Sequence, residues 1–428
     1  MDYFRGLIGI VLLLAFALIF SANKRAVDWR LVGIGVVLQV IFGFMITKVD
    51  FVARIFATVS KAFVKLLSFS EDGALFIFGD LATDTFGFIF AFKVLPTIIF
   101  FSTVSAGLYY LGILQKIVFG IAWVMSRTMR LSGPESLSAA GNIFLGQTEA
   151  PLLVRPFIPT MSRSELMCLM TGGMATIAGG VLAGYVAFLG GDSLEEQSRF
   201  AAYLLGASIM NAPAAIVMSK IMIPEQEKEV INDKLEVSQE NMGVNLIDAM
   251  SIGASEGLKL ALNVGGMLLA FIAVIAALNF ILSGLIGEYL GLNAFVVSST
   301  NGQFSGFSLE YILGQIFRLF AWVIGVEWSE TLQVGSLLGQ KTVINEFVAY
   351  LSLADMKAAE ALSPKSVVIA TYALCGFSNF SSIAIQVGGI GSIAPNQQGN
   401  LSKLGMRALL AATLACLMTA TIAGMLVD

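Results

Sequence analysis

The 428-residue sequence predicts an all-α polytopic membrane protein. The expected form is eight transmembrane helices plus two oppositely oriented re-entrant helical hairpins in an inverted repeat, with an interfacial helix. Three observations predict it. The chain is 57% hydrophobic and 13% charged, with a mean hydropathy of +0.84. Soluble domains carry roughly 25% charged residues, so this chain has about half the usual charge. Apolar runs of about 20 residues recur from end to end, the length that crosses a bilayer. Finally, a polar turn twice interrupts an apolar run that is too short to cross by itself.

Composition also excludes whole classes of chemistry. There is no histidine, which removes His-ligated zinc, Ser-His catalysis and histidine proton relays. Cys168, Cys375 and Cys416 are scattered through apolar runs at spacings that suggest neither a metal site nor a disulfide framework. A net charge of −4 leaves no footprint for nucleic acid.

In chain order, the spans are expected at 7–20, 31–46, 94–119, 166–189, 201–223, 258–286, 366–388 and 408–427. The first is read as a retained span and not a signal peptide: Asp2 offsets Arg5 before the apolar run, and Lys24-Arg25 follow it. Residues 51–68 place Arg54, Lys61 and Lys65 among Phe, Val and Leu, the pattern of a helix lying at the interface. Helix starts are marked by capping boxes at Ser132/Glu135, Ser162/Glu165 and Ser193/Glu196, and by Ser363 before Pro364. The polar segment 225–245 reads as a loop outside the membrane, and 297–308 as a shorter linker.

Lysine and arginine set the expected orientation. Lys24, Arg25 and Arg30, then Lys116 to Arg163, then Lys403 and Arg407 mark cytoplasmic loops. Alternate loops carry Asp192, Glu195 and Glu196 against Arg199, or only Glu288. Eight crossings then put both termini outside the cytoplasm.

Two segments cannot span. From Ser132 to Gly146 about 13 helical residues reach roughly 20 Å, against about 30 Å of hydrocarbon. Gly146-Gln-Thr-Glu-Ala-Pro151 follows, then a short piece closed by Pro159. Such a hairpin enters and leaves on one side, and non-helical backbone at its tip is tolerated only where protein or water satisfies it, so the tip is expected to line a cavity. Glu149 is therefore expected to face that cavity. The second half repeats the plan: 311–326 is apolar, Gly325-Val-Glu-Trp-Ser-Glu330 interrupts, and 332–350 resumes. Each hairpin precedes a span with a break, at 172–180 and at 375–382. Hairpin, broken helix and helix, twice and in opposite orientation, is the inverted-repeat plan of a secondary transporter, with its site where the interruptions meet.

The motifs carry a further resemblance. "GQTEAP" at 146–151, "GxKxxxNEFVAY" at 339–350 and "ALCGFSNFSSIAI" at 373–385 closely resemble the concentrative nucleoside transporters, along nearly the whole chain. The resemblance implies sodium–nucleoside symport across a bacterial inner membrane by a homotrimer, each protomer with its own pathway and an elevator-like movement of the hairpin-bearing part. It divides the chain into scaffold helices with the interfacial helix (1–131), a first transport repeat (132–223), a polar cytoplasmic loop (224–245), a scaffold helix (246–300) and a second transport repeat (301–428). One stretch departs from the family. The second hairpin tip, usually similar to Pro-Trp-Asn-Glu, reads Glu327-Trp328-Ser329-Glu330.

Carried over residue by residue, the resemblance implies that Gln147, Thr148 and Glu149 meet the base edge. Val181, Leu260 and Phe377 would wall it. Glu330, with Asn379 and Ser382, would hold the ribose hydroxyls through charge-assisted bonds. Glu346 is expected to tie the second hairpin to its neighbours. Sodium, the coupling ion, needs hard oxygen ligands, which the side chains of Asn142 and Thr176 and the carbonyls of Leu145 and Ile177 would supply. Proton coupling through Glu149 is the competing reading. A membrane hydrolase would need a Ser/His, paired-Asp or HExxH arrangement, which the sequence lacks. A channel would not need two inverted hairpins with different side chains. Neither tip carries a Lys or Arg to hold a nucleotide's phosphates, so a nucleoside such as uridine is the expected substrate.

Overall fold

The computed structural model describes residues 2–87, 89–191, 193–226 and 243–427, and the polar segment expected as a cytoplasmic loop lies mostly outside them. Among the described residues the secondary structure is helical throughout. The first part holds α1 (Asp2–Ile19), α2 (Trp29–Lys48), α3 (Asp50–Phe78), the single turn α4 (Phe90–Lys93), α5 (Leu95–Tyr110) and α6 (Ile113–Met129). Then come α7 (Gly133–Gly141), α8 (Ala150–Leu153), α9 (Arg163–Ala175), α10 (Gly179–Gly190) and α11 (Leu194–Met222). The remainder is α12 (Leu246–Asn279), continued by a π-helical stretch Phe280–Gly287, α13 (Leu292–Ser299), α14 (Leu309–Val323), α15 (Thr331–Val343), α16 (Glu346–Ala358), α17 (Pro364–Leu374), α18 (Phe380–Ile393) and α19 (Gln398–Leu426).

Six helical stretches among the described residues are long and apolar enough to cross a membrane. Two expected spans fall short of that test for physical reasons. The apolar stretch of α1 is only Tyr3–Ile19. The span at 366–388 is divided at its break into α17 and α18, neither long enough alone. The expected span 94–119 is corrected to two helices. α5 stops at Tyr110, where Gly112 takes a left-handed φ of 72°, and α6 starts afresh at Ile113. The span expected from residue 258 begins earlier, at Leu246, because the Asn245 side chain caps it by accepting the Asp248 N–H.

The interfacial helix is longer than expected but has the expected two faces. Ser60, Val64, Leu67, Ser70 and Ala74 are buried along one stripe of α3, while Arg54, Lys61 and Lys65 are exposed. α12 packs on α5 through Gly253 and Gly257, a small-xxx-small pair. Side chains there would collide with the neighbour: a Cβ on Gly253 would lie 2.7 Å from the Ser102 carbonyl, and one on Gly257 would lie 2.9 Å from the Ile99 Cα. The rest of α12 turns apolar side chains outward, among them Leu258, Leu262, Leu269 and Ile272. Exposed leucine on that scale suits hydrocarbon or another protein surface, not water.

α11 and α19 form the buried centre, each packed against α9 and α17. The element order recurs around them: a leading helix (α6, α14), a hairpin (α7–α8, α15–α16), a broken helix (α9/α10, α17/α18) and a long helix (α11, α19). The two repeats are inverted, as two contacts along α11 demonstrate. α9 begins beside the C-terminal end of α11, where Ser164 Oγ donates to the Ile223 carbonyl. α17 passes the other end, with Tyr372 against Tyr203. Both half-helices then end at the same residue in the middle of α11, Asn211.

Candidate functional site

The first hairpin cannot reach across. Its nine-residue arm α7 is roughly 14 Å long. The foot of this arm is fixed by a capping box, Ser132 with Glu135, and Glu135 also forms an ion pair with the buried Lys220 of α11. Lys220 Nζ donates to Ser164 Oγ at 2.9 Å, so the start of the hairpin, the start of α9 and the end of α11 are held as one piece. The tip is the non-helical stretch 142–149. There Glu149 folds back to accept the Gly146 N–H at 3.0 Å, and Thr148 and Glu149 are both exposed. The sequence places Glu149 toward a cavity; in the structure its side chain is exposed at the tip.

The second tip is not at Gly325–Glu330, and this corrects the sequence reading. α15 runs without a break through 332–343 and ends at Ile344, whose ψ of −89° leaves the helical region. Asn345 then caps α16 by accepting the Val348 N–H at 3.0 Å. Ser352 of α16 donates to Gln340 of α15 at 2.7 Å, closing the two arms into a hairpin with its tip at 344–345. Glu330 lies at the opposite end of α15, about 20 Å away by the helical rise. Its carboxylate accepts both the N–H and the Oγ of Ser363, each at 2.9 Å, where α17 begins. Glu346 occupies the tip instead. It is buried, accepts Tyr185 Oη–H at 3.0 Å and accepts Asn379 Nδ2–H at 2.9 Å.

The two tips and the two helix breaks converge. Gln147 Nε2 donates to Ser382 Oγ at 3.2 Å. Gln386 Nε2 donates to Gln147 Oε1 at 3.3 Å and to the Met170 carbonyl at 3.2 Å. Asn379 caps α18 by accepting the Ser382 N–H at 2.9 Å. The Phe377 N–H donates to the Thr176 carbonyl at 3.3 Å, so the breaks touch through backbone. Val181 is buried on the first turn of α10, one turn before Tyr185. Leu260 on α12 and Phe377 are half-buried at the edge of the core. Thr148 sits against Gly389 of α18.

A second, smaller constellation lies behind the first tip. Asn142 is buried, and among the described residues its Oδ1 and Nδ2 have no hydrogen-bond partner. The amide lies against Gly172, whose carbonyl accepts the Thr176 hydroxyl at 2.9 Å. Leu145 and Ile177 are both buried, in the non-helical stretches beside these two side chains. Buried amide groups rarely lack partners. A compact cation with oxygen ligands would satisfy Asn142 Oδ1, so the donor set present here fits a hard ion.

Comparison with known proteins decides the family. A family model described as "Na+ dependent nucleoside transporter C-terminus" matches residues 203–424. The corresponding N-terminus model matches 8–81, and one described as "Nucleoside recognition" matches 91–192. An uncharacterized transporter, YutK, of Bacillus subtilis is 42% identical over the full length of both chains. Solute carrier family 28 member 3 of Mus musculus is 41% identical over 98% of this chain, which spans 58% of that longer protein. The structure of CNTnw in an inward-facing substrate-bound state is 39% identical and superposes with a TM-score of 0.89, covering 100% of this chain and 99% of that one. A CNTnw variant in an outward-facing state superposes with a TM-score of 0.87 at 37% identity, covering 100% and 98% of the two chains.

The chain belongs to the concentrative nucleoside transporter family. It is a membrane-embedded nucleoside transporter working by alternating access, and not an enzyme. The cluster at the tips contains three residues that sequence reasoning did not place in the substrate site: Tyr185, Gln386 and Glu346. A signal for the last was available. Asn345 is a strong helix-capping residue within 332–350, and a cap there marks a helix start. Tyr185 and Gln386 carry no local signal, because only the packing of distant helices brings them to the tips.

Close approach at this transporter's first tip requires Gly173. A Cβ there would lie 2.5 Å from Gln386 Nε2 and 3.3 Å from Gln147 Cα. The Gln386 amide can swing aside, but the tip backbone must then move by a few tenths of an ångström. Gly173→Ala is expected to weaken nucleoside affinity about tenfold, since overpacking costs about 1–3 kcal/mol. Titration calorimetry on the purified variant checks this, and an unchanged affinity would show that the tip has slack.

Proposed function

We propose that the protein is a sodium-coupled symporter that concentrates nucleosides into the cell by an elevator-type alternating-access movement. The observation that carries this reading is the convergence of both hairpin tips on the break of α17/α18: Gln147 on Ser382, and Glu346 on Asn379. A nucleoside has a flat base with donors and acceptors, and a sugar with vicinal hydroxyls. Gln147 and Thr148, with Glu149 near them, supply amide, hydroxyl and carboxylate groups for the base edge. Val181, Leu260 and Phe377 are apolar walls for its faces. Glu346 takes the role first assigned to Glu330, because it is the carboxylate beside Asn379 and Ser382 and can accept two hydroxyl hydrogens at once.

Sodium is read as a co-substrate held by the side-chain oxygens of Asn142 and Thr176 and the carbonyls of Leu145 and Ile177. It would supply positive charge between the first hairpin and the break of α9/α10, favouring the arrangement that presents Gln147. The moving part consists of the two hairpin repeats (132–223 and 301–428). The scaffold consists of the earlier helices with α12, whose outward apolar face suits contact between three copies in a homotrimer. The setting is a bacterial inner membrane with both termini outside the cytoplasm, following the lysine and arginine distribution.

Uptake of labelled uridine into liposomes tests the reading. An inward sodium gradient at clamped pH is expected to drive accumulation above equilibrium, and an inward proton gradient in choline is not. Accumulation driven by protons would favour coupling through the exposed Glu149, and equilibration without accumulation would sink both.

A further inference from the structure

Asn211 is completely buried in the middle of α11, on a helix that crosses the core. A polar side chain at such a depth is costly and needs a reason. Its Nδ2 donates to the Ala175 carbonyl at 2.7 Å and to the Cys375 carbonyl at 2.8 Å. Ala175 is the last residue of α9, and Cys375 is the residue that closes α17. Helix ends leave such carbonyls without an intrahelical donor. One NH2 group has two hydrogens, and each is spent on a different break. Cys416 Sγ adds a weak donor to the same pair, at 3.5 Å and 3.2 Å. The adjoining residues meet directly, the Phe377 N–H on the Thr176 carbonyl. Asn211 Oδ1, by contrast, has no partner among the described residues. An amide that leaves its own oxygen unsatisfied while both hydrogens are used is placed there for those hydrogens.

Thr176 belongs to the ion constellation, and Phe377 begins the break that carries Asn379 and Ser382. We propose that Asn211 is the positioning residue that makes the two helix breaks one mechanical unit, so that ion occupancy at Thr176 is transmitted to the nucleoside site at 377–382. It touches neither ligand. The proposal rests on the sodium–nucleoside reading above and adds the element through which the two sites communicate. The coupling element is local: a single side chain on α11 bridges the half-helix that ends at the ion and the half-helix that ends at the nucleoside.

The test measures uridine affinity in purified protein by calorimetry, from choline chloride to saturating sodium chloride at fixed pH and ionic strength. The quantity read is the factor by which sodium tightens uridine binding. Asn211→Asp keeps the shape but turns acceptors toward two carbonyls, and Asn211→Ser leaves a hydroxyl too short to bridge both. Each is expected to lower that factor by about tenfold, within the usual range of coupling between sites. Ser208→Ala is the control. Ser208 lies near Cys375 Sγ, at 3.9 Å, and donates to neither carbonyl, so its factor stays at the wild-type value. A purely structural role would lower yield and melting temperature while leaving the factor intact in the protein that remains folded, and that result overturns the proposal. So does failure of both Asn211 variants to give monodisperse protein, which would make the residue a packing element only. A wild-type factor of one overturns the sodium reading itself and the proposal with it. A sodium-dependent wild type with equally dependent variants overturns the proposal alone.

Discussion

Glu346→Gln is expected to reduce nucleoside affinity by about 10- to 100-fold, whereas Glu330→Gln leaves it within about twofold. The carboxylate of Glu346 accepts from Tyr185 and Asn379 together. An amide offers one acceptor and one donor, so one of these two partners, or a ribose hydroxyl, is left facing an N–H. Buried hydrogen bonds to charged groups are worth about 1.5–3 kcal/mol, and about 1.4 kcal/mol is tenfold in affinity. Glu330 makes its bonds to Ser363 at the far end of α15, and a change that distant adds little to binding. Calorimetry with uridine and with uracil on both variants separates the two carboxylates. Uracil, which has no sugar, is expected to bind poorly to the wild type and to be nearly indifferent to Glu346→Gln. Equal loss of uridine binding in the two variants would return the sugar role to Glu330.

Thr176→Val is expected to raise the sodium concentration for half-maximal uridine uptake about tenfold, a typical size for a linked site. Valine preserves the shape and deletes one oxygen, together with its bond to the Gly172 carbonyl. Coupling is reciprocal, so uridine affinity in the variant should fall more at low sodium than at saturating sodium. The check is uridine affinity across a sodium series with choline as the replacement cation and pH held constant. Wild-type affinity that ignores sodium but follows pH would remove the ion from Asn142 and Thr176 and move coupling to Glu149.

The second hairpin shows where sequence reading goes astray and why. Gly325-Val-Glu-Trp-Ser-Glu330 is the most conspicuous interruption in the second half, with glycine, two carboxylates and a serine. It does form a turn, between α14 and α15. The second tip lies fourteen residues beyond Glu330, at Ile344-Asn345. A helix can be broken by one capping asparagine without a glycine or proline, so this break lacks the turn residues that mark Gly146–Pro151. The first tip was legible because Gly146 to Pro151 combine turn chemistry with an arm too short to span.

Composition and periodicity alone determined that this chain lives in a membrane, that it carries two interrupted repeats, and that Gln147, Asn379 and Ser382 lie at interruptions. These follow from local physics: the length of apolar runs, the chemistry of caps, and the cost of polar groups in hydrocarbon. Tertiary structure alone decided which carboxylate meets Asn379, that Tyr185 and Gln386 orient the two tips, and that Asn211 holds both breaks. Each of those facts joins residues far apart in the chain: Gln147 and Ser382, separated by 235 positions, or Asn211 and Cys375, separated by 164. A hydrogen bond of that kind depends on how helices pack and on which donor is left without a partner, and no window of local sequence contains both ends of it.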